Sequence, residues 1–232
     1  MHSNAAVNIY SEEYSNIIHG KSNFSLLPAE NLIRIFMINK LKDKITSTSF
    51  ALDFGCGEGR NTSFLADVGY QVVATDVSDE AIAATQKRMN NVNNIEFVKI
   101  DKPQNFYDIS NSFSIAVAWE VLHWIGEEEL WINYLKSIVS KLASGGSLIC
   151  TMPTEDHYLI SLSEQYKESH FESNADSRKA CKFFAPSLDQ LKSYFKEFGA
   201  KDIQTFRYEH GREGYDMNLD NRFSMYAFYV HF

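Results

Sequence analysis

Asp53, Gly55, Gly57 and Gly59 form the part of the chain best equipped for chemistry. They follow the apolar run Phe50-Ala-Leu52, and a helical pattern starts at Arg60, so the stretch reads as a strand, a tight glycine turn and a helix N-terminus. Such a turn presents backbone N–H groups to a nucleotide-like ligand and lets the ligand come close to the chain. Two details narrow the ligand. A dinucleotide loop of the form Gly-x-Gly-x-x-Gly counted from Gly55 needs glycine at position 60, which is Arg60 here. Asp53, at the strand tip, would repel a pyrophosphate and attract a cation.

Two further acids end apolar strand patterns: Asp76 after Gln71–Thr75, and Asp101 after Ile95–Ile100. A fourth strand, Phe113–Trp119, runs into Trp119-Glu-Val-Leu-His123-Trp124, which places a histidine and two indoles at a strand end. Positioning these groups takes a regular frame. The first strand is expected over Ser49–Phe54, its helix over Arg60–Val68, and a second helix from the cap Ser78 to about Asn90. A helix over Glu127–Leu142, closed by Gly145-Gly146, leads into a fifth strand, Ser147–Met152. Strands alternating with helices over short connections imply parallel pairing, right-handed crossovers and a ligand cleft at the carboxyl ends of the strands.

Two helical patterns precede this frame. Residues 8–20 carry Tyr10 and Tyr14 and stop at His19-Gly20. A second pattern starts at Pro28 and should turn Leu32, Ile33, Ile35, Phe36, Ile38 and Leu41 inward. Tyr10, Tyr14 and His19 are candidates for a lid over the ligand. After Pro153 the amphipathic helix Leu188–Phe198 stops at Gly199, and Asp202–Arg207 and Phe223–Phe232 look like closing strands. The polar linker Glu209–Asn221 is too long for a tight hairpin turn.

The ordered set closely resembles class I S-adenosylmethionine (SAM)-dependent methyltransferases, whose first motif has the form Asp-x-Gly-x-Gly-x-Gly. The resemblance covers roughly residues 48–153 and implies a doubly wound α/β fold. Its sheet would be seven-stranded and mostly parallel, with an antiparallel C-terminal strand and an N-terminal helical cap. On that reading residues 1–232 are one domain, divided into the cap (1–45), the SAM-binding core (46–153) and an acceptor-side segment with the closing strands (154–232). The resemblance also implies residue roles: Asp76 holds the ribose hydroxyls, Asp101 meets the adenine amino group, and Asp53, Gly55, Cys56, Gly57, Arg60, Asn61, Val77 and Trp119 line the cofactor. Gly59-Arg60-Asn61 and the Pro28–Arg34 helix look similar to a bacterial subgroup acting on small molecules, of tellurite-resistance or sugar-modifying type. Ser114 departs from the aspartate often found at the start of the fourth strand.

Methyl transfer from a sulfonium is an in-line displacement that needs alignment and exclusion of water. No metal is required. An alcohol acceptor must lose a proton, and His123 or His157 is the natural base, with Trp124 beside the acceptor. The expected reaction methylates oxygen or nitrogen of a small molecule. A non-catalytic SAM-binding regulator and, further off, an NAD(P)-dependent oxidoreductase are the alternatives. The net charge of -8 and pI near 5.4 argue against nucleic-acid or anionic-membrane partners. Three scattered cysteines, with no basic and apolar leader at the N-terminus, suggest a reduced, cytoplasmic protein, monomeric or homodimeric.

Overall fold

The computed structural model describes residues 27–161, 163–173, 181–211 and 222–232. Helix α1 (Glu30–Ile38) precedes strand β1 (Phe50–Phe54) and helix α2 (Arg60–Asp67). Strand β2 (Gln71–Asp76), helix α3 (Asp79–Arg88), strand β3 (Ile95–Lys99) and strand β4 (Phe113–Ala118) follow. Helix α4 (Glu128–Ser140) then leads into strand β5 (Leu142–Pro153). A short helix, α5 (Tyr158–Ser161), comes next, with strands β6 (Ser163–Lys167), β7 (His170–Ser173) and β8 (Cys181–Phe184). Helix α6 (Leu188–Glu197) and strands β9 (Asp202–Gly211) and β10 (Arg222–His231) close the chain.

Seven strands make one sheet in the order β3-β2-β1-β4-β5-β10-β9. β1 pairs parallel with both β2 and β4, and β10 is antiparallel to β5 and to β9, so β10 alone runs against the rest. The doubly wound expectation holds, antiparallel C-terminal strand included. The chain moves outward from β1 to β3 and then returns to β4, which makes the β1/β4 boundary the topological switch point where such sheets bind ligands.

Each face of the sheet has its own core, because strand side chains alternate between faces. On one face Leu32, Ile35 and Phe36 of α1 and Leu65 and Ala66 of α2 pack on Ala51, Val72, Ile115 and Val117. On the other, Trp131, Tyr134, Leu135 and Ile138 of α4 and Leu191 and Phe195 of α6 pack on Leu52, Val73, Ala116 and Leu148. The spacing of those helical residues is the i, i+3, i+4, i+7 pattern of a single buried stripe. Ile38 departs from the inward expectation: it is 64% exposed among the described residues.

Two expectations for the later chain change. Gly145 and Gly146 do not close a helix before β5 but lie inside it, with Gly145 at φ 75° and the β4 to β5 register shifted between Phe113 and Ile115. The glycine takes the left-handed backbone that a bulge requires, so the strand starts five residues earlier than its apolar run. The segment after β5 also holds an antiparallel three-stranded sheet, β6-β7-β8, with no sequence forewarning.

Candidate cofactor and acceptor site

The glycine turn is fixed by its neighbours on β2 and α3. Gly55, Gly57 and Gly59 all have positive φ, at 75°, 54° and 82°. The N–H groups of Gly55 and Cys56 both donate to the Thr75 carbonyl at 2.8 Å, and the Thr85 hydroxyl donates to the Gly57 carbonyl at 2.7 Å. A Cβ on Gly55 would stand 2.5 Å from Cγ2 of Val121, so the turn is packed against the segment that follows β4.

Asp53, Asp76 and Asp101 stand at or just past the tips of β1, β2 and β3, which are neighbours in the sheet. Asp53 is buried and accepts a hydrogen bond from the Thr62 hydroxyl at 2.5 Å. Burial pushes its carboxyl up to about 6, against the opposing Thr62 bond, and the neighbouring Asp76 adds to the rise. A buried acid short of counter-charge suits a cationic ligand. Asp76 takes the Gly57 N–H at 2.9 Å on one oxygen and the Ser78 N–H at 3.0 Å on the other, and burial raises it as well. It thereby ties the glycine turn to the start of α3, whose N-cap Ser78 accepts from Ala81. Val77 lies half-buried between them. Asp101 is half-buried, and its N–H donates to Asn105 Oδ1 at 3.2 Å.

Other expected cofactor residues are held differently. Asn61 is buried, and its Oδ1 accepts the Ala29 N–H at 3.2 Å, so it anchors the start of α1 on α2. Cys56 is a buried thiol pushed well above its usual range, chiefly by burial and then by Asp76 and Asp53. Its use is size, not reactivity. Trp119 is 5% exposed and stacks on Tyr208 of β9, with ring centroids 5.7 Å apart. Its indole N–H donates to Glu120 Oε1 at 3.1 Å, so the ring is held between the end of β4 and β9.

The structure brings His123 and His157 together, close enough that one lowers the other's proton affinity. Both are buried. His123 sits in a single 3₁₀ turn (Leu122–Trp124), and its Nδ1 has no hydrogen-bond partner among the described residues. Burial drives its imidazole down to about 3, with His157 second as a cause. So weak a base does not deprotonate an alcohol at neutral pH, which argues against the role expected for His123 in this arrangement. His157 accepts the Leu159 N–H at 3.1 Å and packs edge-on against Phe223. Trp124 is half-buried and faces Phe183 of β8, within a small cluster that includes Leu159 and Phe171. It therefore joins the post-β4 turn to the small sheet. Arg207 is engaged by Asp156 at 2.6 Å and Glu209 at 2.8 Å. Tyr10, Tyr14 and His19, the expected lid, lie outside the described residues.

One residue escaped the sequence reading. Glu120, at the end of β4, has φ 58° and accepts three side-chain donors: Trp119 Nε1 at 3.1 Å, Tyr208 OH at 3.3 Å and Arg60 Nη2 at 3.2 Å. Its own N–H donates to Thr151 Oγ1 at 2.7 Å. No propensity signals a glutamate in left-handed backbone. The hint available was its place between a strand end and His123.

Residues 29–205 match the methyltransferase domain family, and the chain belongs to it. Nodulation protein S of Rhizobium tropici is 32% identical over 99 residues, 43% of this chain and 41% of that protein. The probable SAM-dependent methyltransferase TehB of Haemophilus influenzae is 28% identical over 116 residues, 49% of this chain and 40% of that protein. The matched region thus spans less than half of either relative. The crystal structure of N-methyltransferase NodS from Bradyrhizobium japonicum with S-adenosylhomocysteine (SAH) superposes with a TM-score of 0.61 at 16% identity, covering 95% of this chain and 97% of that one. The fold is therefore that of the SAM-dependent methyltransferases, as the sequence resemblance implied. SAM is the cofactor of the class, and the residues around the glycine turn fit it: a turn of three glycines at positive φ, a buried acid suited to a cation, and acids at three neighbouring strand tips. Among the described residues no helix is long and apolar enough to cross a membrane.

Proposed function

We propose that this protein transfers the methyl group of SAM to a small-molecule acceptor. The observation that carries the reading is the succession of Asp53, Asp76 and Asp101 at the tips of β1, β2 and β3 around a left-handed glycine turn. In this reading Asp101 receives the adenine amino group, Asp76 the ribose hydroxyls, and Asp53 supplies negative charge beneath the sulfonium. Bound SAM supplies an activated methyl group. The chain's part in this reading is to align the acceptor and keep water out, and the packing of Trp124 against the small sheet supports giving that part to the turn after β4.

Of the two acceptor atoms expected, nitrogen is favoured. A weakly basic amine, unprotonated at neutral pH, attacks through its lone pair and loses its proton afterwards to water, whereas an alcohol needs a base in the site, and His123 is held too weakly basic to serve, which leaves His157. The N-methyltransferase NodS, a structural neighbour, supports the same choice. The test is calorimetry with SAM and SAH, followed by transfer of a labelled methyl from SAM to panels of small amines and alcohols. Absence of SAM binding overturns the reading. Binding without turnover on any acceptor would point instead to a SAM-responsive regulator.

A further inference from the structure

The Arg60 and Glu120 pair spans the switch point of the sheet. Arg60 opens α2 directly after Gly59, where the helix already presents positive charge, so a guanidinium there has the wrong sign for its position. Glu120 reaches across from the tip of β4 and neutralises it at 3.2 Å. Glu120 does so from a backbone conformation that costs a side chain about 1–2 kcal/mol and that glycine would adopt freely. Its carboxylate is further fixed by Trp119 and Tyr208, and its N–H by Thr151. The pair is partly open, at 41% and 28% exposure, so its contribution to folding is small. A strained residue whose ion pair adds little to stability is a candidate for function.

The charges suggest which function. This step rests on the SAM reading above. A cofactor with its adenine at β3 and its ribose at β2 continues, in sheet order, toward β1 and β4. Among the described residues Asp53, Arg60 and Glu120 carry charge there, Glu58 of the glycine turn being paired with Arg88, and Arg60 is near enough to Asp53 to act on its carboxyl. With both acids ionised these three sum to one negative charge, which a single cation completes. SAM carries a sulfonium at that point of the molecule, and the product SAH carries a neutral thioether.

We propose that Glu120, by neutralising Arg60, is a specificity-determining residue that sets the preference of the site for the charged cofactor over its uncharged product. Without Glu120 the unpaired guanidinium opposes the sulfonium and leaves the thioether unaffected. Without Arg60 the opposite holds, and without both the charge sum returns to its starting value.

The experiment is calorimetric titration of SAM and of SAH into the wild type, Glu120→Gln, Arg60→Met and the double variant. In Glu120→Gln the ratio of SAM to SAH affinity should fall by about five- to tenfold. In Arg60→Met it should rise, and in the double variant it should return to within about twofold of the wild type. Glu120→Asn, whose side chain tolerates left-handed backbone, repeats the measurement if the glutamine variant does not fold. Equal weakening of both ligands, or no change in the ratio, overturns the proposal and leaves Glu120 a structural tie. A wild type that binds neither ligand overturns the SAM reading and this proposal together.

Discussion

Asp76 shows how one side chain can serve both architecture and ligand. Its oxygens hold Gly57 and Ser78, so it shapes the glycine turn and the start of α3 before any ligand arrives. A carboxylate has room for about four hydrogen bonds, and the remaining capacity is what a ribose would use. Asp76→Ala should weaken SAH by about 10- to 100-fold, since bonds to a charged group contribute about 1.5–3 kcal/mol. Titration of SAH checks this; unchanged affinity would remove Asp76 from the cofactor site. The position of Asp53, Asp76 and the glycines at neighbouring strand ends is legible in the sequence because it depends on residue type where an apolar run stops. The orientation of Asn61 and the stacking of Trp119 are not, because each depends on a distant partner, Ala29 and Tyr208, that local spacing does not name. Glu120 was hidden for a third reason: its conformation runs against its own propensity.

At the level of elements, strands β1 to β4 and the helices between them could be read because apolar periodicity and caps agree there. The small sheet β6-β7-β8 could not. Its strands are only 5, 4 and 4 residues long, and the alternation that would mark them is too brief to stand out from a loop. The same packing logic yields two predictions. Gly55→Ala places a methyl 2.5 Å from Val121 at φ 75°, and should cost about 2–4 kcal/mol in urea unfolding along with SAH binding. Adding Val121→Ala should restore part of the stability by removing the clash while leaving the backbone strain; no recovery would show that strain alone is responsible. Ser187 caps α6 in a reciprocal box with Gln190, so Ser187→Ala should cost about 1 kcal/mol. Because α6 packs on the face of the sheet opposite α1 and α2, SAH affinity should not follow; a joint loss would reveal coupling between the two faces.

Over the whole molecule, two buried groups set opposing pH dependences. His123 is lowered from 6.5 to about 3, so below 6.5 the unfolded chain binds a proton that the folded protein refuses. Its contribution to stability is complete above pH 6.5 and falls by about 1.4 kcal/mol per unit as the pH drops toward 3. Asp53 is raised from 3.8 to about 6, so between those values the folded protein holds a proton that the unfolded chain has released. Stability from this group therefore decreases as pH rises from 3.8 to 6, by a similar slope, and stays reduced above 6. In the shared window the two cancel, and the wild type owes little net slope to them. Asp53→Asn removes one side of the balance, and its unfolding free energy should climb with pH from about 4 to 6 more steeply than the wild type's, by about 1 kcal/mol per unit. Urea denaturation of both proteins across that range gives the comparison, and parallel profiles would exclude a buried, proton-holding Asp53. The cofactor adds a further consequence. A cation near Asp53 favours its ionised form, so SAM should raise the unfolding midpoint more at pH 7 than at pH 5. SAH, lacking the charge, should show a smaller difference, and an equal pH response to both ligands would mean that the acid at the tip of β1 does not sense the sulfonium.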